Sequence, residues 1–245
     1  MIKTCYLTIV LLVLCSNLLL AQASAPAWGG GADQTDLSFG FTFSYVSSYY
    51  KIIKKPDWRN PYFDPGVNRY ITDSVKGIIS KPTAGFAIGF ITRYRFTDNI
   101  EARITPSLVF ADRSLYYTYD TPSQDVTKSI QTTTVDFPLE VKLKSDRIQD
   151  FRAYLLGGIK YSQAIGRGQV QTSIDPLERN VKNVSGFGSW EAGIGCDIYF
   201  EFFKLSPEIK LSNSFGNVLL PDNEPFSSPI SKLSLHTIMF SLYFE

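Results

Sequence analysis

The fold follows from the stretch Leu37-Ser38-Phe39-Gly40-Phe41-Thr42-Phe43-Ser44-Tyr45, in which large apolar or aromatic residues occupy the odd positions and small or polar residues the even ones. A period of two is typical of a β-strand with one apolar face. The same pattern covers Ser189–Glu201, where the apolar face includes Trp190 and the other face carries charged side chains. Strands of about ten or more residues with such faces are typical of an outer-membrane barrel.

Eight strands of this kind predict an all-β fold, an eight-stranded antiparallel up-and-down transmembrane β-barrel. They are expected at Asp36–Tyr49, Thr83–Phe96, Ile100–Tyr119, Ile130–Lys144, Phe151–Ser162, Ser189–Glu201, Lys204–Ser214 and Lys232–Glu245. Short and long connections alternate between them, as in bacterial barrels with short periplasmic turns and long outer loops. Pro106, Pro138 and Pro207 fall inside these strands and predict bulges, or lumen water that satisfies the orphaned carbonyl groups.

The N-terminus has the layout of a secretory signal peptide. Lys3 precedes an apolar run from Tyr6 to Leu20, and small residues around Ala23 follow it. A membrane anchor is the alternative, but the run is short for a helix that spans a bilayer. We therefore expect a cleaved signal peptide over residues 1–23, a barrel domain over residues 24–245, and a location in the outer membrane.

The composition narrows the possible partners. The net charge of +1 gives no reason to expect binding to nucleic acid. Cys5 and Cys15 leave with the signal peptide, so Cys196 is alone and no intrachain disulfide is expected. The aromatic content of 14% fits strands with aromatic girdles at the membrane interfaces. A monomeric barrel in contact with outer-membrane lipid is expected.

Charged residues on the polar strand faces are expected to line an interior that is wide enough only for side chains or one small ligand. They are Arg93, Arg95, Glu101, Arg103, Asp136, Glu140, Lys142, Arg152, Lys160, Glu191, Asp197, Glu201, Lys204, Glu208 and Lys210. We expect Arg95 to lie opposite Glu101 with Arg103 diagonal to it, and Glu201 to face Lys204. Because unpaired charges in a narrow lumen would be costly, the set predicts a salt-bridged plug. A selective ion path is the alternative.

The sequence gives little support for an enzyme. Some small outer-membrane barrels modify lipids with a histidine, a serine and an acid, and this chain has one histidine, His236, near Ser234 and Ser241. A single histidine at such a place is more often a packed or lumen-exposed side chain than a general base. Since the sequence contains no metal-ligand cluster, nucleophile motif or phosphate-binding glycine loop, we expect no catalytic, cofactor or metal site.

The long loop Tyr50–Pro82 carries Trp58, Tyr62 and Phe63 among several prolines. Aromatic side chains dominate binding hot spots, so these three residues are candidates for contact with a partner protein. The alternative is a loop that packs its aromatic side chains over the barrel mouth.

A family resemblance rests on the stretch Val135-Asp136-Phe137-Pro138-Leu139-Glu140-Val141-Lys142-Leu143-Lys144-Ser145 and the return stretch Phe151-Arg152-Ala153-Tyr154-Leu155-Leu156-Gly157-Gly158-Ile159-Lys160-Tyr161. The two resemble the central hairpin of the PorT family, small outer-membrane barrels linked to the type IX secretion system of Bacteroidota. The segment Leu211-Ser212-Asn213 and the long loop after it are also similar. These motifs are structural, so they indicate the family better than an activity.

The resemblance implies a role in the export or surface attachment of proteins that carry a C-terminal secretion signal, with other secretion-system proteins as partners. A folded cargo cannot pass an eight-stranded lumen, so we expect an accessory or assembly factor and no wide pore. The alternatives are a stand-alone structural or adhesin-like barrel of the OmpX/OmpA kind and, with less support, a lipid-modifying enzyme.

Overall fold

The computed structural model describes residues 35–130, 133–165, 176–178, 181–222 and 224–245. The expected signal peptide lies outside these residues. The strands are β1 (Leu37–Lys54), β2 (Phe63–Asp64), β3 (Arg69–Tyr70), β4 (Val75–Lys81), β5 (Thr83–Arg95), β6 (Ile100–Ile104), β7 (Ser107–Ala111), β8 (Arg113–Tyr119), β9 (Val126–Ile130), β10 (Thr133–Lys144), β11 (Phe151–Ile165), β12 (Gly186–Tyr199), β13 (Lys204–Ser214) and β14 (Ile230–Phe244). Short 3-10 helices cover Pro122–Gln124 and Pro176–Glu178. None of the helices in the described ranges has the length and apolar character needed to cross a membrane.

The wall is one closed antiparallel sheet. It runs in the order β1, β14, β13, β12, β11, β10, then β6 with β7, then β5, and β5 pairs with β1 to close the ring. β6 and β7 both lie between β5 and β10, so they share one place in the ring. The sheet therefore contains nine strands, where the sequence predicted eight.

The predicted strand Ile100–Tyr119 is the one that the structure corrects. Thr105 and Pro106 separate β6 from β7, Asp112 separates β7 from β8, and β8 leaves the wall. Proline has no backbone N–H to donate, which explains the break at Pro106.

The bulge expected at Pro138 is absent, because the pairing of β10 with β11 runs through this residue without a shift. Pro207 lies beside an interruption in the recorded pairing of β12 with β13, between Gly195↔Glu208 and Ile198↔Leu205. An irregularity near this proline agrees with the loss of a hydrogen-bond donor.

Three wall strands continue beyond the ring into a second sheet. β4 leads into β5, β8 follows β7, β9 precedes β10, and the three pair in the order β4, β8, β9. We call this the loop sheet. Residues 50–82 and 120–129, which the sequence predicted as long connections between strands, therefore contain the strands β4 and most of β9. Val75 and Ile78 of β4 are buried together with Leu115 of β8, and this burial stabilises the sheet outside the wall.

The outer face of the wall is apolar, as the alternation predicted. Phe39, Phe43 and Tyr45 of β1 are exposed, whereas Thr42 and Ser44 between them are buried. Exposed apolar side chains continue around the ring on β5, β10, β11, β12, β13 and β14. A continuous apolar surface of this kind requires lipid around it.

The loop end of the interior is filled by apolar side chains. We call this cluster the apolar cap, and its buried members are Tyr50, Val75, Ile78, Leu115, Tyr117, Tyr119, Ile130, Val181, Val218, Leu219, Phe226, Ile230, Leu233 and Leu235. The Tyr117 and Phe226 rings meet edge to face at 5.3 Å between centroids. A smaller apolar cluster, which includes Val46 and Met239, lies inside the wall. The cap therefore covers the interior on the side of the long loops.

Candidate functional site: the charged core

The inward faces of the wall strands carry seven cations and seven anions whose side chains are buried. We call this set the charged core. The cations are Arg93, Arg103, Lys142, Lys144, Lys160, Lys204 and Lys210, and the anions are Glu101, Asp136, Glu140, Glu191, Asp197, Glu208 and Glu245. Equal numbers of the two signs leave the set without net charge, which is the condition under which buried charges are tolerated.

The centre of the charged core is Arg103 on β6. Its Nε donates to Glu140 Oε2 at 2.8 Å, and its Nη2 donates to Glu208 Oε2 at 2.8 Å. The hydroxyl groups of Tyr154 and Tyr243 also donate to the Glu208 carboxylate, at 3.0 and 3.2 Å. The Arg103 guanidinium lies 4.3 Å from the centroid of the Tyr243 ring. The buried guanidinium is thus compensated by two carboxylates and an aromatic face.

Lysines continue the charged core toward the loop end. Lys210 Nζ lies 2.6 Å from Glu140 Oε1 and 3.5 Å from Glu191 Oε2. Lys160 Nζ in turn lies 3.0 Å from Glu191 Oε1 and 3.1 Å from Asp136 Oδ2. Each of these two lysines contacts two anions, and both contact Glu191. The ion pairs are therefore linked into a continuous network.

The turn end of the charged core is organised around Glu101. Its carboxylate lies 3.2 Å from Lys142 Nζ, 2.8 Å from Lys144 Nζ and 3.4 Å from Arg93 Nη1. Lys142 also contacts Asp197 at 2.8 Å.

Glu245 completes this end of the charged core. Its carboxylate pairs with Arg93 Nε and lies 2.8 Å from Lys204 Nζ. Arg93 therefore contacts both Glu101 and Glu245, which joins β5 to the end of β14.

Twelve of the fifteen predicted interior residues belong to the charged core. The other three lie at the turn end or outside the interior. Arg95 stands opposite Glu101 in register, as predicted, but its guanidinium pairs with Asp36 Oδ1 at 3.0 Å. Arg93, one inward position deeper, takes the contact with Glu101. Arg152 donates to the Asp98 carbonyl oxygen at 3.1 Å.

The predicted contact between Glu201 and Lys204 is wrong. Tyr199 pairs with Lys204, and Phe200 N–H donates to the Phe203 carbonyl oxygen, so Glu201 lies exposed in the turn. The list of predicted interior residues did not include Lys144 and Glu245. Each lies two positions after an inward-facing residue, Lys144 after Lys142 and Glu245 after Tyr243. Because side chains alternate along a strand, this spacing predicts that both point inward.

His236 lies apart from the charged core. Its ring contacts the Tyr49 ring at 4.9 Å, and its Nδ1 contacts Asn213 Oδ1. Ser241 lies five positions further along β14 on the opposite, inward face, where its Oγ accepts a hydrogen bond from Ser44 Oγ at 2.7 Å. The two residues therefore do not meet. In the part of the chain that the structure describes, no three His, Cys, Asp or Glu side chains are placed to hold a metal ion.

The three aromatic residues of the first long loop divide into two groups. Trp58 is half-buried against the apolar cap, with Lys54 Nζ 3.8 Å from its ring centroid, so it packs over the barrel mouth. Tyr62 is also half-buried. Phe63 is 42% exposed and meets Tyr70, which is 69% exposed, edge to face at 5.3 Å. The exposed aromatic surface is thus the β2–β3 hairpin, and Tyr70 is a member that the sequence did not single out.

The closed sheet with an apolar outside and a charged inside agrees with a comparison of the sequence with family models. Residues 21–220 match the outer membrane protein beta-barrel domain. The chain belongs to this family. The match establishes an outer-membrane barrel, but it does not show membership of the PorT family. No curated protein sequence matches the chain.

Solved structures of other outer-membrane barrels are similar at low identity. OprG of Pseudomonas aeruginosa is 12% identical over 85% of this chain and 93% of that chain, with a TM-score of 0.46. Neisserial surface protein A is 6% identical over 85% of this chain and 98% of that chain, with a TM-score of 0.41. Ail of Yersinia pestis, solved with a heparin analogue, is 12% identical over 86% of this chain and 99% of that chain, with a TM-score of 0.36.

Proposed function

We propose that this outer-membrane barrel is an accessory or assembly factor of a protein secretion system of the type IX kind, and that it acts through its outer loops and its wall. The observation that carries the proposal is the filled interior. Ion pairs such as Arg103–Glu208 join the walls across the lumen, and the apolar cap lies above them. A barrel with this interior can contact other proteins through its outer surface, but its lumen leaves no room for a protein to pass through.

The charged core also argues against an ion path. An ion that crosses the lumen would have to separate buried pairs, and leaving one partner of a buried pair without compensation is strongly unfavourable. Lys142 lies between Glu101 and Asp197, and Lys210 lies between Glu140 and Glu191, so these side chains are held from two sides. The proposal is therefore a plugged barrel.

The β2–β3 hairpin is the surface proposed to meet a partner. Phe63 and Tyr70 present their rings outward, and Arg69 and Val67 between them are exposed. The base of the hairpin is fixed, because Ile71 N–H donates to the Tyr62 carbonyl oxygen at 2.9 Å and Tyr62 N–H donates to Thr72 Oγ1 at 3.1 Å. Aromatic rings and arginine on a fixed scaffold are typical of binding hot spots.

Secretion in the native bacterium tests the proposal. Deletion of the chain is expected to abolish release of cargo with a C-terminal secretion signal while the outer membrane keeps its resistance to detergent. Wild-type chain should restore secretion, and the double variant Phe63→Ala/Tyr70→Ala should restore it poorly. Phe202→Ala is the control, because Phe202 is also an exposed aromatic residue but lies in a turn at the other end of the barrel.

Secretion that continues after deletion would contradict this function. Loss of detergent resistance or of surface adhesion with normal secretion would favour the alternative of a stand-alone structural or adhesin-like barrel. The proposal includes no enzymatic activity, and release of fatty acid from outer-membrane lipid by the purified barrel would overturn that part.

A further inference from the structure

Two lysines lie side by side on the outer face of the wall, at the end that carries the long loops. Lys51 of β1 stands opposite Ser234 of β14 in register, and Lys232 of β14 stands opposite Ile53 of β1. The Lys51 side chain is exposed and that of Lys232 is half-buried. Residues in this diagonal relation lie about 7–8 Å apart, which long side chains can span. The two ammonium groups can therefore converge on one ligand.

Neither lysine has a counterion in the part of the chain that the structure describes. No ion pair or hydrogen bond joins the ammonium group of Lys51 or Lys232 to a described residue. Lysines on the inner face of the wall differ, since Lys142 and Lys210 each contact two carboxylates. Two neighbouring cations without a counterion repel each other, so the pair is suited to bind an anion.

A row of polar and aromatic side chains places the lysine pair at the membrane boundary. The row crosses four strands in register, from Tyr49 through His236 and Asn213 to Trp190. Tyrosine and tryptophan are enriched where the hydrocarbon of a bilayer meets its headgroups. Lys51 is two positions nearer to the loops than Tyr49 and thus lies at the level of the headgroups.

The same two strands border a groove further down the outer face. Its volume is about 320 Å³, and we call it the wall groove. Its sides are large side chains, two from each of three strands, namely Phe43 and Tyr45 of β1, Phe86 and Ile88 of β5, and Phe240 and Leu242 of β14. The shorter side chains of Ser44 and Ala87 complete the lining. The wall groove is therefore apolar and open to lipid.

The distance between the wall groove and the lysine pair matches one leaflet of a bilayer. Tyr45 and Lys51 are six positions apart on β1. Six residues span about 20 Å along a strand, or about 15 Å along the membrane normal for a strand tilted by about 40°. Half of the hydrocarbon core is also about 15 Å thick. The wall groove thus lies at the depth where acyl chains of the outer leaflet end.

We propose that Lys51 and Lys232 bind the phosphate group of one anionic lipid of the outer leaflet, and that an acyl chain of this lipid follows β1 and β14 into the wall groove. Charge favours an anionic headgroup, and the apolar groove on the same strands favours a lipid over a free phosphate ion. The Tyr49 and His236 rings, 4.9 Å apart, lie between the two parts of the site. The bound lipid would cover the seam where the first and last wall strands pair.

Native mass spectrometry of the full chain, folded in detergent, tests the site. The two probes are lipid A with its phosphate groups and the same lipid A after enzymatic removal of the phosphates. The phosphorylated form is expected to give a barrel with one bound lipid, and the dephosphorylated form should bind much more weakly. Equal binding of the two forms would overturn the proposal, because the acyl chains are the same in both.

Substitution of the lysines tests which residues bind the phosphate. A basic residue near an anionic lipid surface contributes enough that Lys51→Gln or Lys232→Gln should weaken binding of phosphorylated lipid A roughly fivefold, and the double variant about 25-fold. Lys76→Gln is the matched control, because Lys76 is also an exposed lysine but lies on β4 of the loop sheet, and it should bind as wild type does. Heat-modifiable gel migration checks that each variant is folded. Wild-type affinity in the double variant would overturn the proposal.

Two further measurements distinguish a lipid from other anions. Inorganic phosphate alone should give no bound species, and a phosphate ion held by the two lysines would overturn the lipid assignment. In living cells, a photo-crosslinking amino acid in place of Ser234 should capture a phosphate-labelled lipid, whereas the same amino acid in place of Lys76 should not. Capture of a protein and no lipid at position 234 would show that this face binds a protein partner and would also overturn the proposal.

Discussion

Arg103 on β6 and Glu208 on β13 form an ion pair across the full width of the barrel, with Nη2 and Oε2 2.8 Å apart. Three strand places separate β6 from β13 in either direction around the ring. The same guanidinium binds Glu140 on β10 at 2.8 Å. One side chain thus connects three strands through the lumen, and the wall cannot widen unless these contacts break.

We predict that Arg103→Met destabilises the folded barrel by about 3–5 kcal/mol, because it removes the close cation of the buried Glu208 and leaves only Lys210, whose Nζ is 3.9 Å away. Urea unfolding in detergent measures the change in the free energy of unfolding. The control is Arg95→Met, whose ion pair is with Asp36, a largely exposed partner, and should cost no more than about 1 kcal/mol. Equal effects of the two substitutions would show that the central pair has no special role.

We also predict that the purified barrel forms no large, stable channel. In planar lipid bilayers, the wild-type chain should give no steady conductance on the nanosiemens scale, because the charged core and the apolar cap fill the interior. A general porin recorded in the same bilayers provides the positive control. Persistent open-channel currents from the wild-type chain would contradict the plug.

Gly195 allows a close approach between strands, and we predict that Gly195→Ala destabilises the barrel. A Cβ atom at this position would lie 2.5 Å from Tyr154 Cζ and 2.7 Å from the Pro207 carbonyl oxygen. Overpacking of this kind typically costs about 1–3 kcal/mol. Gly157→Ala is the matched control on the neighbouring strand β11, since its Cβ would meet only the Glu191 carbonyl oxygen at 3.9 Å. The thermal midpoint should fall for Gly195→Ala and stay near that of wild type for Gly157→Ala.

The loop sheet should loosen at alkaline pH before the wall does. Burial, with the nearby Asp125 carboxylate, raises the pKa of Tyr119 from 10.0 to about 12, and burial also raises the pKa of Tyr117. The neutral phenol is thus favoured in the folded state. The stability that the loop sheet gains from the neutral Tyr119 phenol is fully present below pH 10 and is lost as the pH rises toward about 12.

Limited proteolysis measures this alkaline effect. Cleavage between residues 50 and 82 should accelerate as tyrosinate absorbance appears, while gel migration still shows a folded barrel. In Tyr119→Phe the onset should move to higher pH, because one of the two titrating groups is gone. Cleavage that does not depend on pH over this range would contradict the prediction.

The faces of the wall strands could be predicted from the sequence, because each side chain on a strand points away from its neighbours. The alternation from Leu37 to Tyr45 gives the membrane face of β1 correctly. The same parity places Glu101, Arg103 and Glu208 in the interior, where the structure has them. A period of two is a backbone property, so it does not depend on the rest of the fold.

The ion pairs could not be predicted with the same success, because long charged side chains reach beyond the residue directly opposite. Arg95 faces Glu101 in register but contacts Asp36, while Arg93 reaches Glu101 from the next inward position. Arg103 and Glu208 lie on strands that are not neighbours, and strand pairing alone gives no information about such a contact.

The loop sheet could not be predicted from the sequence for a different reason. Leu115 and Tyr117 alternate with polar residues as wall residues do, and only the break before Arg113 and the pairing with β4 separate them from the wall. The exposed β2–β3 hairpin is two residues long on each side, which is too short for a periodic pattern. Both the loop sheet and the β2–β3 hairpin depend on contacts between residues that are distant in the sequence or too few to form a pattern.

The distribution of partners in the charged core constrains how the barrel can assemble. Arg93 and Glu245 are 152 positions apart in the chain, and Arg103 and Glu208 are 105 positions apart. Strands that entered the membrane one at a time would each expose unpaired charges to hydrocarbon, which is costly for every such side chain. Insertion must therefore be concerted with ring closure, so that the charges leave water only when their counterions from distant strands are already beside them.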